Sequence, residues 1–279
     1  MTNKVNIIAE IGINHQGDFN LMKKMMIEAK KCGADYVKSQ KRDPKTCLSK
    51  LEYNKPYESP HSFGSTYGEH KENLEFSLEE WAELFAFAGQ NSIKMFTSVF
   101  DVISANNINN LGVEIFKIGS AEVTNIAVLE HVCSFGKPVI LSTGMSTIEE
   151  IDVAVDVLKK TDLILMHCTS AYPCEEKDVN LNIITTLKDR YKLPVGLSGH
   201  YNQGSGAIES AAVGLGAEWI ERHFTLDRTM KGTDQSSSLE PTGMKRVVKS
   251  IRSVERSMGC KNKVVFECEY KSRKKFRGN

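Results

Sequence analysis

The sequence predicts one α/β domain, a (β/α)8 TIM barrel, on three observations. Short β-like apolar runs alternate with stretches of helical spacing through most of the chain, the pattern of repeated βα units. The length, 279 residues, suits one such barrel, which usually takes roughly 250 residues, better than two ordinary domains. Lastly, the apolar runs end in polar side chains, although a parallel strand covered on both faces should stay apolar to its end. In this fold the chemistry sits at the C-terminal strand ends.

In chain order, the predicted strands are 6–12, 36–40, 94–99, 115–120, 139–144, 163–168, 194–200 and 219–225. Helical spacing fills 20–32, 78–90, 102–111, 126–134, 148–159, 182–191, 204–215 and 242–258. Ser77 with Glu80, and Thr147 with Glu150, are capping-box pairs that start two of these helices. Gly33, Gly216 and the Phe135–Pro138 turn stop helices and restart strands. Residues 41–75 are rich in Pro, Ser, Tyr, Gly and His; an irregular piece this long predicts a flap over the barrel mouth. The barrel thus occupies residues 1–258, and 259–279 form a basic tail without helical period.

Composition narrows the function. With 36 basic and 35 acidic residues the net charge is +1, which provides no field for nucleic acid or an anionic membrane. An anionic substrate must be held by local placement of charge. Seven cysteines without a CxxC pair read as reduced thiols. No signal sequence or membrane-length apolar run is evident, so a cytoplasmic protein is expected.

The strand ends carry the candidate chemistry. His200 and His223 end neighbouring strands, where two imidazoles can share a divalent metal and leave positions open for water and substrate. A lone strand histidine is more often structural; the pairing carries the weight. Lys38 and Lys117 with Ser120, Ser142 and Ser198 supply positive charge plus directional hydroxyls, as a phosphate and a carboxylate require. The alternative for each lysine is a buried ion pair with Glu10 or Glu122. Gln40 ends the second strand, and His15 and His167 are weaker candidates for orienting a neighbour or a substrate hydroxyl.

The strings IIAEIGINHQG, VKSQ, FKIGSAE, VILSTGM, MHCTSAYP, VGLSGH and ERHFTLD, in this order over residues 6–241, resemble the sialic acid synthase family. The resemblance implies condensation of phosphoenolpyruvate with N-acetylmannosamine or a related open-chain sugar. It implies a divalent ion on His200 and His223, most often Mn²⁺ with Mg²⁺ or Co²⁺ as substitutes. Phosphoenolpyruvate would be held by Lys38, Lys117, Ser120, Ser142 and Ser198, with Glu10 near the reacting centre. Asp234 and Tyr172 would lie in or beside the sugar site, with Gln40, Glu122 and Ser170 as further substrate contacts. The chain departs from the family where SDH is Ser198-Gly199-His200, where TSVF replaces a Ser-Thr-Pro-Phe string, and where Ser170 replaces an Asn. Family members commonly continue into a small antifreeze-like domain that reaches across a dimer. A homo-oligomer in which the flap, the tail or a neighbouring chain covers the mouth is therefore expected. Two other readings remain: another metal-dependent sugar aldolase or synthase, and a catalytically silent barrel that binds a sugar phosphate or a partner.

Overall fold

The computed structural model describes residues 4–260 and 262–278. Lys261 and Asn279 of the predicted tail, like Met1 to Asn3, lie outside the described residues. Eight parallel strands close a barrel in sequence order: β1 (Asn6–Gly12), β2 (Tyr36–Lys41), β3 (Lys94–Val99), β4 (Phe116–Ile118), β5 (Val139–Ser142), β6 (Leu163–Cys168), β7 (Val195–Gly199) and β8 (Trp219–His223). Pairing of β1 with both β2 and β8 completes the ring and leaves no sheet edge to protect. The register places Glu10 opposite Lys38 on one side and opposite His223 on the other. Three of the sequence-selected residues therefore stand at one height of the barrel.

The helical layer comprises α1 (Phe19–Lys31), α2 (Leu78–Gln90), α3 (Val102–Asn110), α4 (Ile126–Ser134), α5 (Ile148–Leu158), α6 (Ile183–Tyr191), α7 (Ala207–Gly214) and α8 (Pro241–Ser257). Both predicted capping boxes form: Ser77 and Glu80 start α2, and Thr147 and Glu150 start α5, each satisfying backbone N–H groups that the first turn leaves unpaired. The core runs continuously from inside the barrel into this layer through side chains such as Ile7, Phe116, Leu165 and Ile220 on strands and Met22, Leu84 and Leu187 on helices. At the N-terminal end of the barrel Tyr36 packs on Trp219 and Phe96, with ring centroids 5.3 and 5.8 Å away. That end is plugged by aromatic surface, and the opposite end is the polar one.

Three expectations are corrected. The fourth strand ends at Ile118, because Ser120–Glu122 turns into a 3-10 helix after Gly119. Residues 41–75 are not irregular throughout: Pro44–Cys47, Lys50–Tyr53 and Tyr67–Glu72 are short helices, the last two with complete capping boxes. The tail contains a helix, Tyr270–Arg277, exposed along its length. The 41–75 segment lies at the mouth. Arg42 donates to the Gln40 side chain, the Gly232 N–H donates to His61 Nδ1 at 3.2 Å, and Lys231 sits 4.6 Å from the Phe63 ring. No helix is long and apolar enough to cross a membrane among the described residues. All seven cysteines are free thiols.

Backbone proximity at the β7–β8 seam depends on one glycine. A Cβ at Gly196 would lie 2.4 Å from the Trp219 carbonyl oxygen, which is backbone, and 2.5 Å from Met166 Sδ. Gly196→Ala is expected to lower stability by about 2 kcal/mol, the usual scale of overpacking. The check is the midpoint of a urea unfolding curve; an unchanged midpoint would show that the seam yields.

Candidate active site

At the C-terminal mouth a cavity of about 220 Å³ is lined by residues from the ends of all eight strands or the loops that follow them. Eleven of the sequence-selected residues line it: Glu10, Lys38, Gln40, Lys117, Ser120, Ser142, Ser170, Tyr172, Ser198, His200 and His223. Ser98, Cys168 and Glu221 complete the polar lining.

Its floor is a chain of alternating buried charges. Glu10 Oε2 lies 2.7 Å from Lys38 Nζ, which lies 3.5 Å from Glu221 Oε1; Glu221 Oε2 in turn accepts from Lys117 Nζ at 2.8 Å. Lys38 also donates to Ser98 Oγ at 2.9 Å, and Ser198 Oγ donates to Glu221 at 3.3 Å. Burial alone would lower the Lys38 pKa, but the Glu10 and Glu221 carboxylates outweigh it and raise the value. For Lys117 burial wins over its single close carboxylate, and the pKa falls. Burial works to raise Glu221, yet Lys117 and Lys38 together hold its carboxyl down at about 2. Four charge-bearing side chains thus share a buried pocket that a lone charge would occupy at a cost of several kcal/mol.

The ion-pair alternative holds for both lysines in this geometry, with one correction. The partner of Lys117 is Glu221, not Glu122. Glu122 sits in the 3-10 turn, accepts from Asn125 Nδ2 at 2.6 Å and lies outside the cavity lining. Glu221 stands out in the sequence as a polar end of the eighth strand, but sequence reasoning gives it no role in the site. The signal was present: it precedes His223 by two on one strand, so the two side chains share a face.

The imidazoles converge, with ring centroids 5.3 Å apart. His200 Nδ1 is 2.8 Å from the Thr169 carbonyl, which can only accept, so Nδ1 carries the proton and Nε2 presents its lone pair. Tyr172 packs on this ring, centroids 4.3 Å apart, with its hydroxyl 3.2 Å from Nε2. His223 Nδ1 is buried without a hydrogen-bond partner, 3.6 Å from Asp234 Oδ2. Burial, with His223 second, depresses the His200 pKa to about 3, so its ring stays neutral at any physiological pH. A carbonyl-oriented neutral imidazole beside a second imidazole with an orphaned nitrogen fits a divalent ion. No cluster of three or more His, Cys, Asp or Glu suited to a metal occurs among the described residues, so an ion here would take two protein ligands and complete its shell with water or substrate.

The remaining candidates divide. Gln40 Nε2 donates to Glu10 Oε1 at 2.9 Å, fixing the carboxylate from the side away from Lys38. Ser120 Oγ accepts from the Gly144 N–H at 3.0 Å and lies 3.1 Å from Cys168 Sγ. Asp234 stands at the rim above Gly12. His15 and His167 are outside the lining: His15 stacks on Phe76 at 4.4 Å, and His167 Nε2 donates to the Val179 carbonyl at 2.7 Å.

A barrel that needs only to fold has no use for so much buried charge at one end, and its presence marks the chain as an enzyme of the (β/α)8 class. Comparison with known proteins places it further. Residues 25–263 match the NeuB family model, and the chain belongs to that family. It is 41% identical over 266 residues to the N-acetylneuraminate-9-phosphate synthase of Homo sapiens, covering 94% of this chain and 74% of that protein. It is 40% identical to the N,N'-diacetyllegionaminic acid synthase of Campylobacter jejuni, covering 92% and 78%. Among solved structures, the N-acetylneuraminic acid (sialic acid) synthetase of Leptospira borgpetersenii, in complex with citrate, superposes with a TM-score of 0.86 at 34% identity, covering 100% of this chain and 94% of that one. The resemblance to sialic acid synthases read from the sequence strings is borne out.

His15 gives a measurable pH signature separate from the imidazole pair. Burial lowers its folded pKa from 6.5 to about 3. The unfolded chain therefore takes up this proton first, and stability declines as pH falls below about 6.5, by at most about 1.4 kcal/mol per pH unit from this group. His15→Phe, which keeps a ring on Phe76, should flatten the slope of unfolding free energy between pH 6 and pH 4 by close to one proton. Urea titrations at those pH values provide the check; an unaltered slope would mean that His15 titrates normally in the folded protein.

Proposed function

We propose that the protein condenses phosphoenolpyruvate with an open-chain aldose of the N-acetylmannosamine type, giving a sialic-acid-like α-keto acid and inorganic phosphate. The observation that carries this is the meeting of two buried lysines, several serine hydroxyls and two imidazoles in one cavity of the mouth. Lys38 and Lys117, with Ser120, Ser142 and Ser198, hold the carboxylate and phosphate, exchanging part of their pairing with Glu10 and Glu221 for pairing with the substrate. C3 of the enol attacks the aldehyde carbon, the aldehyde oxygen becomes a hydroxyl, water adds at C2, and the tetrahedral intermediate expels phosphate. Glu10, oriented by Gln40 and Lys38, is placed to take the proton of that water. His200 and His223 would hold a divalent ion, Mn²⁺ foremost, which when bound supplies Lewis acidity toward the aldehyde oxygen. Tyr172 and Asp234, which flank the imidazoles, bound the sugar site. Assembly as a cytoplasmic homo-oligomer belongs to the same reading, supported by the exposed apolar side chains Val264, Val265, Phe266 and Phe276 of the tail.

One observation refines the acceptor. Lys71 is largely sheltered, has no carboxylate in ion-pair range among the described residues, and shares the rim with Arg42 and Lys231 near His70. Burial, then Arg42, lowers its pKa to about 8. Such a group favours an acceptor whose far end is anionic, as the product named for the human relative is.

Incubation with phosphoenolpyruvate, Mn²⁺ and a panel of free and phosphorylated acetamido aldoses should release one phosphate per product, with product mass equal to the aldose plus pyruvate. His223→Ala should reduce turnover by at least about a hundredfold without loss of the far-ultraviolet spectrum. Absence of phosphate release with every acceptor would overturn the reading, and product without phosphate release would indicate an aldolase instead. Lys71→Met should lower the kcat/KM ratio of phosphorylated to free acceptor by roughly tenfold; an unchanged ratio would exclude the rim from recognition.

A further inference from the structure

Immediately outside the cavity lies a second buried charged cluster that the proposed reaction does not use. Arg222 separates Glu221 from His223 on β8, so its side chain points away from the cavity into the layer between barrel and helices. There it is about 1% exposed and ion-paired with Glu209, which is buried to the same degree in the first turn of α7. Its guanidinium also donates to the backbone carbonyls of Tyr201 and Gln203, the latter at 3.2 Å from both Nη atoms. The Tyr201 ring covers the guanidinium, 4.0 Å from Cζ to the ring centroid.

These contacts connect the two imidazoles by a route outside the barrel. His223 follows Arg222 directly, and His200 precedes Tyr201 directly. His200 follows Gly199, the last residue of β7. The Arg222 fork ties the segment 201–203 to β8, while the contacts of His200 Nδ1 to Thr169 and of the Cys174 N–H to the His200 carbonyl hold it to the chain that follows β6. Gly199, paired with Arg222 in the β7–β8 register, belongs to the same arrangement: a Cβ there would stand 2.6 Å from Tyr201 Cε1. The cluster is also expensive. Arg222 Nε, Glu209 Oε2 and Tyr201 Oη are buried without hydrogen-bond partners, and each forgoes the hydrogen bond that water would give it in the unfolded chain. Well-packed apolar side chains would serve folding at least as well.

We propose that Arg222, anchored by Glu209 and covered by Tyr201, is a positioning residue that sets the separation of His200 and His223 and thereby their joint affinity for a divalent ion. The proposal rests on the reading of that pair as a metal centre. A planar fork that grips two carbonyl groups two residues apart restrains the backbone in both translation and rotation, which a lysine or an apolar side chain in the same space cannot do. Glu209 keeps the fork from rotating. Through this linkage the helix layer helps to set where the His200 backbone stands relative to His223, while the Thr169 carbonyl orients the ring.

The test is Mn²⁺ titration by calorimetry on the full chain without substrates, for the wild type, Glu209→Gln, Arg222→Met and a remote core truncation, Ile108→Ala on α3. Glu209→Gln keeps the shape and part of the hydrogen bonding, so it should remain folded; Arg222→Met is the stronger variant. Both should weaken Mn²⁺ binding by ten- to a hundredfold, the scale of lost support behind a metal ligand. Phosphoenolpyruvate affinity in chelated buffer should move by less than about threefold, because Lys38 and Lys117 are held by other partners. Ile108→Ala should lower the melting temperature without altering the Mn²⁺ affinity. A Glu209→Gln protein with wild-type Mn²⁺ affinity and a lowered melting temperature would overturn the inference and leave the metal centre standing. A wild type that binds no Mn²⁺ would overturn both.

Discussion

Four charges in a row, Glu10, Lys38, Glu221 and Lys117, set the terms for the rest of this molecule. They come from four strands, β1, β2, β4 and β8, and meet because the barrel closes with β1 beside β8 and β2, and with β4 facing them across the mouth. Removing one member would leave its buried neighbours under-compensated, at a cost of about 3–5 kcal/mol. The closed sheet and the charge row therefore depend on each other: the sheet supplies the register, and the row makes a slipped register costly. With equal numbers of acids and bases, each lysine of the row sits against a carboxylate before any substrate arrives. Its lysines are then ready to meet an anion, with little reorganisation required at the moment of reaction.

Most of the barrel was legible in the sequence because its signals are local. Apolar runs bounded by Gly and Pro, and capping boxes such as Thr147 with Glu150, need only a few residues to declare themselves. The same locality explains what was missed. The helices Lys50–Tyr53 and Tyr67–Glu72 are too short to show a 3.6-residue period, although Ser49/Glu52 and Thr66/Glu69 announce their starts. The tail helix hides its period under consecutive basic residues.

For the site, residue types at strand ends identified the imidazoles, lysines and serines, since polar groups in a doubly covered strand are anomalous wherever they occur. Partners were harder. Glu122 was the acidic residue nearest Lys117 in sequence on its own strand-end, while the actual partner, Glu221, is supplied by a strand on the far side of the barrel. Pairing of this kind is fixed by stagger and closure, which a linear reading does not contain. His15 and His167 illustrate the converse: they look reactive in a string but are absorbed by a stacked ring and a carbonyl.

The lack of space at Gly199 has an evolutionary consequence. Any residue with a Cβ at this position must displace the Tyr201 ring, and that ring lies on Arg222 beside the imidazole pair. The two positions are therefore epistatic. A lineage carrying a larger residue between Ser198 and His200 could acquire the tyrosine only after, or together with, the glycine, and the reverse path must first shrink position 201. Comparison of sequences should show the glycine and the tyrosine travelling as a pair, so that swapping either alone between relatives yields a poorer protein than either parent.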